Sequence, residues 1–497
     1  MSAPTLASLL DGLPVLSRSG AWRSGVTAIV TDSRRIVPGA LFFALDGRRA
    51  EGHRFVDEAV SRGAAAVVSG HPVAGVPAVD AAQVAEPRRV LAEVARRFHG
   101  HPERALRLVG VTGTNGKTTV ASLVRHLAEA AEGRPWGLLG TVRYHLGARS
   151  VPSYKTTPDA ADLASFLAQM RDAGCAGAAM EVSSHALDQE RVHGLPLAVA
   201  AFTNLTRDHL DYHGTPEAYL RAKRRIFDGS VGPRPGRAVI NADDPAAPAF
   251  AEAAAGLPTL TYSLSREADL SARVLSMDLG GTRLSLRVGG REAELVTRLP
   301  GAYNVSNLLC ALACLRALGA DPLALADAVR DFPGVPGRME RVEAGQPFPV
   351  FVDYAHTDDA LGHALGMLRA ITPGRVLCVF GCGGDRDRGK RPAMTAAVSG
   401  LAHRAWATAD NPRRESVEAI FADMRPGARG PGRVDFVPDR REAIALACAE
   451  ARPGDCVLVA GKGHETTQEF AETVVPFDDR EVARDVLRRL PLRAASA

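Results

Sequence analysis

The sequence predicts an α/β protein of about three domains, with a central P-loop-type domain and a C-terminal Rossmann-like, doubly wound sheet. Three observations lead there. At 497 residues the chain is too long for one hydrophobic core. A strand-like LRLVGVT runs into the loop GTNGKTT and then into helical VASLVRHLAEAA, the order of a phosphate-binding strand, loop and helix. From about residue 338 onward, apolar strand cores alternate with helical stretches, and each unusual polar cluster falls just after a strand.

In order along the chain, residues 1–103 read as a small α/β unit. VTAIVTDSR and LFFALDG are strand-like, EGHRFVDEAVSRG is helical and AAAVVSG is the next strand. The second domain, 104–337, opens at the glycine loop and ends at DFPGVPGR, a Pro/Gly breaker cluster. Within it, SARVLSMDLGGTRLSLRVGGREAELVTRL alternates like antiparallel strands around Gly-Gly turns, followed by the helix NVSNLLCALACLRALG. The third domain, 338–497, repeats strand, loop and helix through PVFVDYAHTDDALGHALGMLRAI, RVLCVFGCGGDRDRGKRPAMTAAV, RAWATADNPRRESVEAIFADM and DCVLVAGKGHE. In such sheets ligands bind at the carboxyl ends of the strands, where these polar clusters lie.

Composition narrows the class. Hydrophobic residues at 46% and charged residues at 23% are ordinary for a globular enzyme. A net charge of +4 with no basic run excludes a nucleic-acid binder. Seven scattered cysteines in apolar contexts predict reduced thiols rather than a disulfide framework. The N-terminus lacks a signal-peptide pattern, and no apolar run approaches the roughly 20 residues a membrane helix needs. A cytoplasmic protein without membrane insertion is expected.

The chain has five lysines against fifty-five arginines, and each lysine falls in a chemistry-like motif. Lys117 lies in GTNGKTT, Lys155 in KTTP, Lys223 in RAKRRIF, Lys390 in GGDRDRGKRP and Lys462 in AGKGHE. Where arginine serves every general cationic purpose, lysine marks places that need a compact ammonium or a reactive amine. In the phosphate loop, Gly113, Thr114, Asn115, Gly116, Lys117, Thr118 and Thr119 offer backbone N–H groups, a Lys for the β/γ-phosphates and a hydroxyl for Mg²⁺. The match to the standard loop is inexact, because Val111 stands where the first glycine belongs. Glu181, delivered by a strand in AAMEVSSHALDQERV, suits a second Mg²⁺ ligand. His209 and His213 in TRDHLDYHG have zinc-like spacing, but no HExxH or cysteine ligand accompanies them, so one histidine on Mg²⁺, with Mn²⁺ as the alternative, is the better reading. The pair Cys378 and Cys382 has no second pair to complete a zinc site and reads as core.

GTNGKTT resembles the signature of the Mur ligase family, ATP-dependent amide-forming enzymes of peptidoglycan precursor synthesis; folylpolyglutamate synthases share the architecture. The resemblance covers essentially the whole chain and implies the three-domain Mur ligase fold with a central ATPase domain. It favours His209 as the metal-bound histidine. It also implies that Lys223 is carbamylated to N6-carboxylysine, a metal ligand that arginine could not provide. In the first domain TDSRRIVPGALFFALDG is similar to the uridine-site segment of the branch that adds the third stem-peptide residue. That places Thr31, Ser33, Arg48, Arg49 and Ala50 near the UDP. Thr156, Thr157, Ser183, Gln189 and Arg191 resemble muramoyl-dipeptide contacts, with Lys155 where some relatives carry Asn. Asn304, Asn307, Arg338, Asp353 and His356 resemble the nucleotide set of the third domain, and Asp358 replaces a proline usual in DYAHTPDAL.

DNPR carries the specificity. Arg413 offers a bidentate fork for a carboxylate, and meso-diaminopimelate differs from L-lysine by a distal carboxylate. Asp410, Asn411, Pro412, Arg413, Arg386, Gly461 and Glu465 thus resemble a diaminopimelate set. The implied partners are UDP-N-acetylmuramoyl-L-alanyl-D-glutamate, meso-diaminopimelate and the co-substrate ATP, with the chain a monomer. L-lysine as the amino acid and a folylpolyglutamate-type reaction are the alternatives. A P-loop kinase or GTPase would explain GTNGKTT but neither DNPR nor GKGHE.

Overall fold

The computed structural model describes residues 3–47, 51–73 and 79–490. The chain divides into two compact units, Met1–Ser271 with Asn307–Leu325, and Ala272–Ser306 with Ala326–Ala497.

The first unit holds two sheets. The N-terminal sheet has five strands in the order Ser17–Ser19, Asp80–Gln83, Ala64–Ser69, Ala40–Ala44, Ala28–Val30. Its inner strand Ala40–Ala44 is buried throughout. Leu41 and Phe43 face one apolar cluster and Phe42 and Ala44 the other, the two-residue period of a strand covered on both faces. The segment expected to be one helix, EGHRFVDEAVSRG, begins as a 3₁₀ turn at Gly52–Phe55 and becomes α-helical only at Val56–Ser61. Gly52 is packed against the backbone of Leu45, where an added Cβ would lie 2.4 Å from the Leu45 oxygen.

The larger sheet of this unit centres on the parallel strands Trp136–Leu139, Gly177–Glu181, Arg107–Thr112, Leu197–Phe202, Arg237–Asn241 and Thr259–Ser263, in that spatial order. The short antiparallel strands Arg143–His145 and Ser150–Pro152 extend one edge. Helix Lys117–Glu132 leaves the end of Arg107–Thr112 through the glycine loop and buries Val120, Leu123, Val124 and Leu127 against the sheet. The apolar core beneath is continuous from Leu108 to Phe250.

In the second unit, Gly281–Val288 and Arg291–Thr297 form the antiparallel hairpin expected around Gly289–Gly290, both glycines having positive φ. The C-terminal sheet runs Glu340–Val342, Val350–Asp353, Cys456–Ala460, Val376–Cys382, Arg404–Ala409, Arg433–Phe436, and all its pairs are parallel except the first. Along Val376–Cys382, residues 376, 378, 380 and 382 pack into one cluster with helices Asp358–Ile371 and Lys390–Leu401. Residues 377 and 379 pack into another with helices Arg440–Glu450 and Asp479–Arg489. Helices on both faces make this the doubly wound sheet the sequence predicts. All seven cysteines are free and buried, with Cys378 and Cys382 in the core.

Candidate functional site

The glycine loop GTNGKTT is built by close backbone approaches. Gly113 (φ +148°) lies where a Cβ would be 1.9 Å from Thr203 Oγ1, and Gly116 (φ +85°) where one would be 2.2 Å from Asn307 Oδ1. Only glycine fits either position. The loop is pinned from the neighbouring strand: Thr114 N donates to Asn204 O at 2.8 Å, and Asn115 N to Asn204 Oδ1 at 2.9 Å. Thr118 and Thr119 lie in the first turn of helix Lys117–Glu132.

Two lysines converge on this loop. Lys117 Nζ donates to Gly113 O at 2.8 Å and to Thr114 O at 2.7 Å. Lys223 reaches the same Gly113 carbonyl at 2.7 Å from a fully buried position, with its Nζ 4.6 Å from the ring centre of Tyr219. Burial, reinforced by the Lys117 charge, holds the Lys223 amine well below the usual lysine range. Tyr219 is one helical turn before Lys223 and its hydroxyl meets Thr114 Oγ1 at 3.2 Å. That i, i+4 spacing was legible in the sequence.

Glu181 is 1% exposed at the end of its strand. Its carboxylate accepts from Thr118 Oγ1 at 3.0 Å, Thr141 N at 2.7 Å and Thr141 Oγ1 at 3.2 Å. Gly140 makes room for it, since a Cβ there would lie 2.4 Å from Glu181 Oε1. Thr141 had no signal in the sequence. His209 adopts a left-handed conformation (φ 52°), and its ring stands edge-on to His185, centroids 4.8 Å apart. His213 Nε2 lies 3.0 Å from Ser184 Oγ. Burial, with the charges of His209 and His213, lowers the His185 pKa to about 4. Neither His209 nor His213 belongs to a grouping of three metal-ligating side chains among the described residues.

A cavity of about 190 Å³ in the same unit is lined by Thr31, Arg88, Lys155, Asp159, Gln189 and Arg191, among others. Arg191 organises it, donating to Thr157 O at 2.8 Å and Gln189 Oε1 at 2.7 Å and pairing with Asp159 at 3.2 Å. Lys155 takes Asp159 from the other side at 2.5 Å. Thr156 meets Thr141 through its hydroxyl at 3.1 Å, while Thr157 Oγ1 donates to Glu181 O at 2.7 Å. Ser183 caps the next helix by accepting from Ala186 N. These contacts connect the KTTP segment directly to the Glu181 strand. Ser33 is turned elsewhere: its hydroxyl donates to Glu58 at 2.8 Å, and it does not line this cavity. Arg48, Arg49 and Ala50 lie outside the described residues.

In the second unit a set of loops gathers at the carboxyl ends of the C-terminal strands. Lys462, fully buried, donates to Asn411 Oδ1 at 2.9 Å and Glu465 Oε2 at 3.2 Å, and Asn411 Nδ2 closes the triangle on Glu465 at 3.0 Å. Arg413 (φ 53°) donates from Nε to Glu469 at 2.9 Å and from Nη1 to Gly384 O at 2.9 Å. Gly384 packs on Pro412 and Gly461 on Asp410; a Cβ at either would lie 1.7 Å from Pro412 O or 2.6 Å from Asp410 Oδ2. Buried Arg391 ties the GGDRDRGK loop to the DNPR segment through Glu415 and Gly383 O, and draws the Glu415 carboxyl down to about 2. Arg386 belongs to this loop, its Cγ 3.7 Å from the position a Gly383 Cβ would take. Arg338 lies 4.5 Å over the Tyr354 ring, and Asp353 accepts from Met339 N and Ala355 N. Lys390 reaches His356 O at 3.3 Å. Asn304 holds Pro300 O at 2.8 Å near the start of helix Ala302–Ala317. Glu469 and Arg391 carried no signal in the sequence, since a single Glu or one arginine among many does not stand out.

The chain is matched along most of its length by three family models: Mur ligase family, catalytic domain, over residues 25–99; Mur ligase middle domain over 111–315; and Mur ligase, glutamate ligase domain, over 337–463. It is 44% identical over 490 residues to the UDP-N-acetylmuramoyl-L-alanyl-D-glutamate--2,6-diaminopimelate ligase of Geobacillus kaustophilus (strain HTA426), covering 97% of this chain and 99% of that one. The Streptomyces coelicolor protein of the same name is 42% identical, with 98% and 97% covered. A solved structure of a ligase of that name superposes with a TM-score of 0.70 at 34% identity, covering 98% and 99% of the two chains. MurF from Acinetobacter baumannii, at 17% identity and a TM-score of 0.63 over 88% and 90%, shares the fold. With a three-domain α/β fold and a sequence matched along nearly its whole length, the chain belongs to the Mur ligase family, whose members are ATP-dependent amide ligases.

Proposed function

We infer that this chain is the ligase that joins meso-2,6-diaminopimelate to UDP-N-acetylmuramoyl-L-alanyl-D-glutamate, with ATP as co-substrate. The observation that carries the amino-acid choice is Arg413, oriented in a preformed loop beside Asn411 and Glu465. Its guanidinium suits the distal carboxylate that diaminopimelate has and L-lysine lacks, while Glu465 suits an ammonium. With L-lysine, the guanidinium N–H groups not already engaged by Glu469 and Gly384 O meet no substrate carboxylate, which disfavours the analogue.

A carboxylate does not condense with an amine in water, so the reaction is divided. The γ-phosphoryl group of ATP passes to the D-glutamyl side-chain carboxylate, giving an acyl phosphate and ADP. The diaminopimelate amine then adds to the acyl carbon, and the tetrahedral intermediate loses phosphate and a proton to give the amide. Lys117, already directed into the loop by two carbonyls, is available to the phosphates with the backbone N–H groups of residues 113–119, since phosphoryl transfer rests on positioning and charge neutralisation. The buried carboxylate of Glu181, ringed by Thr118 and Thr141, is an all-oxygen donor set that fits Mg²⁺ or Mn²⁺. When bound, such an ion neutralises phosphate charge. Burial pushes the Lys223 pKa down, which favours the neutral amine, the form that adds CO₂ to become a carbamate; this supports N6-carboxylysine at 223 and, with His209, a second arm of the metal set.

The cavity lined by Thr31, Lys155, Gln189 and Arg191 is assigned to the UDP-muramoyl-dipeptide, together with Thr156, Thr157 and Ser183. Asn304, Arg338 and Asp353 are assigned to the nucleotide. We take the functional domains as 1–103, 104–337 and 338–497, and the location as cytoplasmic, where the nucleotide substrates and the reduced thiols both belong. No helix of the described residues is long and apolar enough to cross a membrane.

The test is ADP release from purified protein supplied with ATP, Mg²⁺ and UDP-N-acetylmuramoyl-L-alanyl-D-glutamate, with meso-diaminopimelate or L-lysine as third substrate. Release with diaminopimelate far exceeding that with lysine is expected. Equal rates would remove the role of Arg413, and no turnover with either would remove the assignment.

A further inference from the structure

Three side chains outside the assigned site converge on the surface of the N-terminal sheet. Asp46 follows strand Ala40–Ala44, His53 lies in the 3₁₀ turn Gly52–Phe55, and His71 follows strand Ala64–Ser69. One ligand atom from each lies within 4.8 Å of the others, and no other such trio occurs among the described residues. His71 Nε2 is 2.6 Å from Asp46 Oδ2, His53 Nδ1 is 3.9 Å from Asp46 Oδ1, and the two imidazole rings are 4.7 Å apart.

The second observation is an orphaned atom. His53 Nδ1 is shielded from solvent and has no hydrogen-bond partner. A buried ring nitrogen without a partner is costly, and here it faces a carboxylate and a second imidazole. Carboxylate and N–H groups also stand behind the trio. The far nitrogen of His53, Nε2, lies 3.8 Å from Glu51 Oε2, which also receives Arg54. Asp46 Oδ1 accepts from Gly52 N at 2.9 Å. The donor behind the carboxylate is a support of the kind that orients metal ligands, and Glu51 stands at ion-pair distance from the far nitrogen of His53.

We propose that Asp46, His53 and His71 bind a divalent transition cation of the zinc class, separate from the phosphate-site metal. Two imidazoles and one carboxylate suit Zn²⁺, and three protein ligands leave a fourth position for water. Ligand atoms around a tetrahedral zinc lie about 3.3 Å apart, so binding separates Asp46 from His71 slightly and draws His53 inward. The site joins segments distant in sequence. Arg88 donates to the Asp46 carbonyl at 2.7 Å, and Arg88 and Leu45 line the neighbouring cavity, so the ion fastens one wall of it.

The experiment uses the full chain without an affinity tag, stripped with chelator. Zn²⁺ binding is followed by calorimetry, Co²⁺ binding by its visible d–d absorption, and melting temperature is measured with and without Zn²⁺. Wild type and the H209A variant should each bind one equivalent that H53A and H71A lose or bind at least ten-fold more weakly. The zinc-dependent rise in melting temperature should vanish in the same two variants. Both histidines are partly exposed, so folded variants are expected, and circular dichroism checks this. Equal stoichiometry and affinity in wild type, H53A and H71A would overturn the proposal. Loss of the equivalent in H209A alone would also overturn it, by placing the ion at the other histidine cluster.

Discussion

Arg413 and Glu469 are joined by a 2.9 Å charge-assisted hydrogen bond, and their backbones pair as well: Arg413 N donates to Glu469 O at 3.0 Å. The guanidinium is thereby oriented before any ligand arrives, with its Nε edge engaged by protein. A substrate carboxylate would meet a fork already aimed, which reduces the ordering cost of binding.

Replacing that fork by a point charge tests it. Arg413→Lys should lower kcat/KM for diaminopimelate by about 10- to 100-fold, the worth of a hydrogen bond to a charged group, and flatten the preference over L-lysine. Glu469→Gln keeps the arginine but loosens its hold. A rise in KM for diaminopimelate without loss of preference is expected, read from steady-state kinetics with both amino acids.

Lys462 should behave as a positioning residue. Its ammonium is fully buried and holds both Asn411 and Glu465. Lys462→Met leaves those groups short of a partner and should destabilise the fold by about 1–3 kcal/mol. Denaturant unfolding measures that loss, and KM for diaminopimelate should rise more than KM for ATP.

Lys223 is tested by its chemistry. Lys223→Ala should abolish ADP release while leaving UDP-substrate affinity intact, and small carboxylic acids should restore part of the rate by standing in for the carbamate. A ¹³C carbamate resonance should appear in wild type equilibrated with ¹³C-bicarbonate and be absent from the variant. Arginine at 223 should not restore activity, because it cannot form a carbamate.

Gly113→Ala should eliminate nucleotide binding. The new methyl carbon would lie 1.9 Å from Thr203 Oγ1 at a φ that L-residues rarely adopt. ATP titration by fluorescence or calorimetry reads the loss directly, whereas Gly133→Ala, with open space around it, should leave ATP affinity unchanged.

The pH dependence of stability has a definite sign at His185. Its folded pKa is lowered from 6.5 to about 4, so between these values the unfolded chain binds the proton and the folded chain does not. The contribution to stability is complete above pH 6.5 and is lost as pH falls toward 4. His185→Gln should therefore show a shallower decline in unfolding free energy across that window than wild type.

The sequence determined the parts whose signal is local. The glycine loop with its helix, the strand–helix alternation of the third domain and the hairpin around Gly289–Gly290 follow from period, turn chemistry and capping, and each lies where expected. Scarcity of lysine pointed to Lys117, Lys223 and Lys462, because a reactive or compact amine cannot be exchanged for arginine. Tertiary structure decided what depends on long-range approach. Lys117 and Lys223 share the Gly113 carbonyl across more than a hundred residues, Thr141 supports Glu181 from the turn after strand Trp136–Leu139, and Glu469 orients Arg413. The partner of the Ser33 hydroxyl, Glu58 on a separate helix, was likewise set by packing. Asp46, His53 and His71 stand in unrelated sequence contexts and meet only because two parallel strand ends and a 3₁₀ turn bring them together. Periodicity and motif fix which backbone forms; which side chains then share a few ångströms is set by packing, and packing has no address in the sequence.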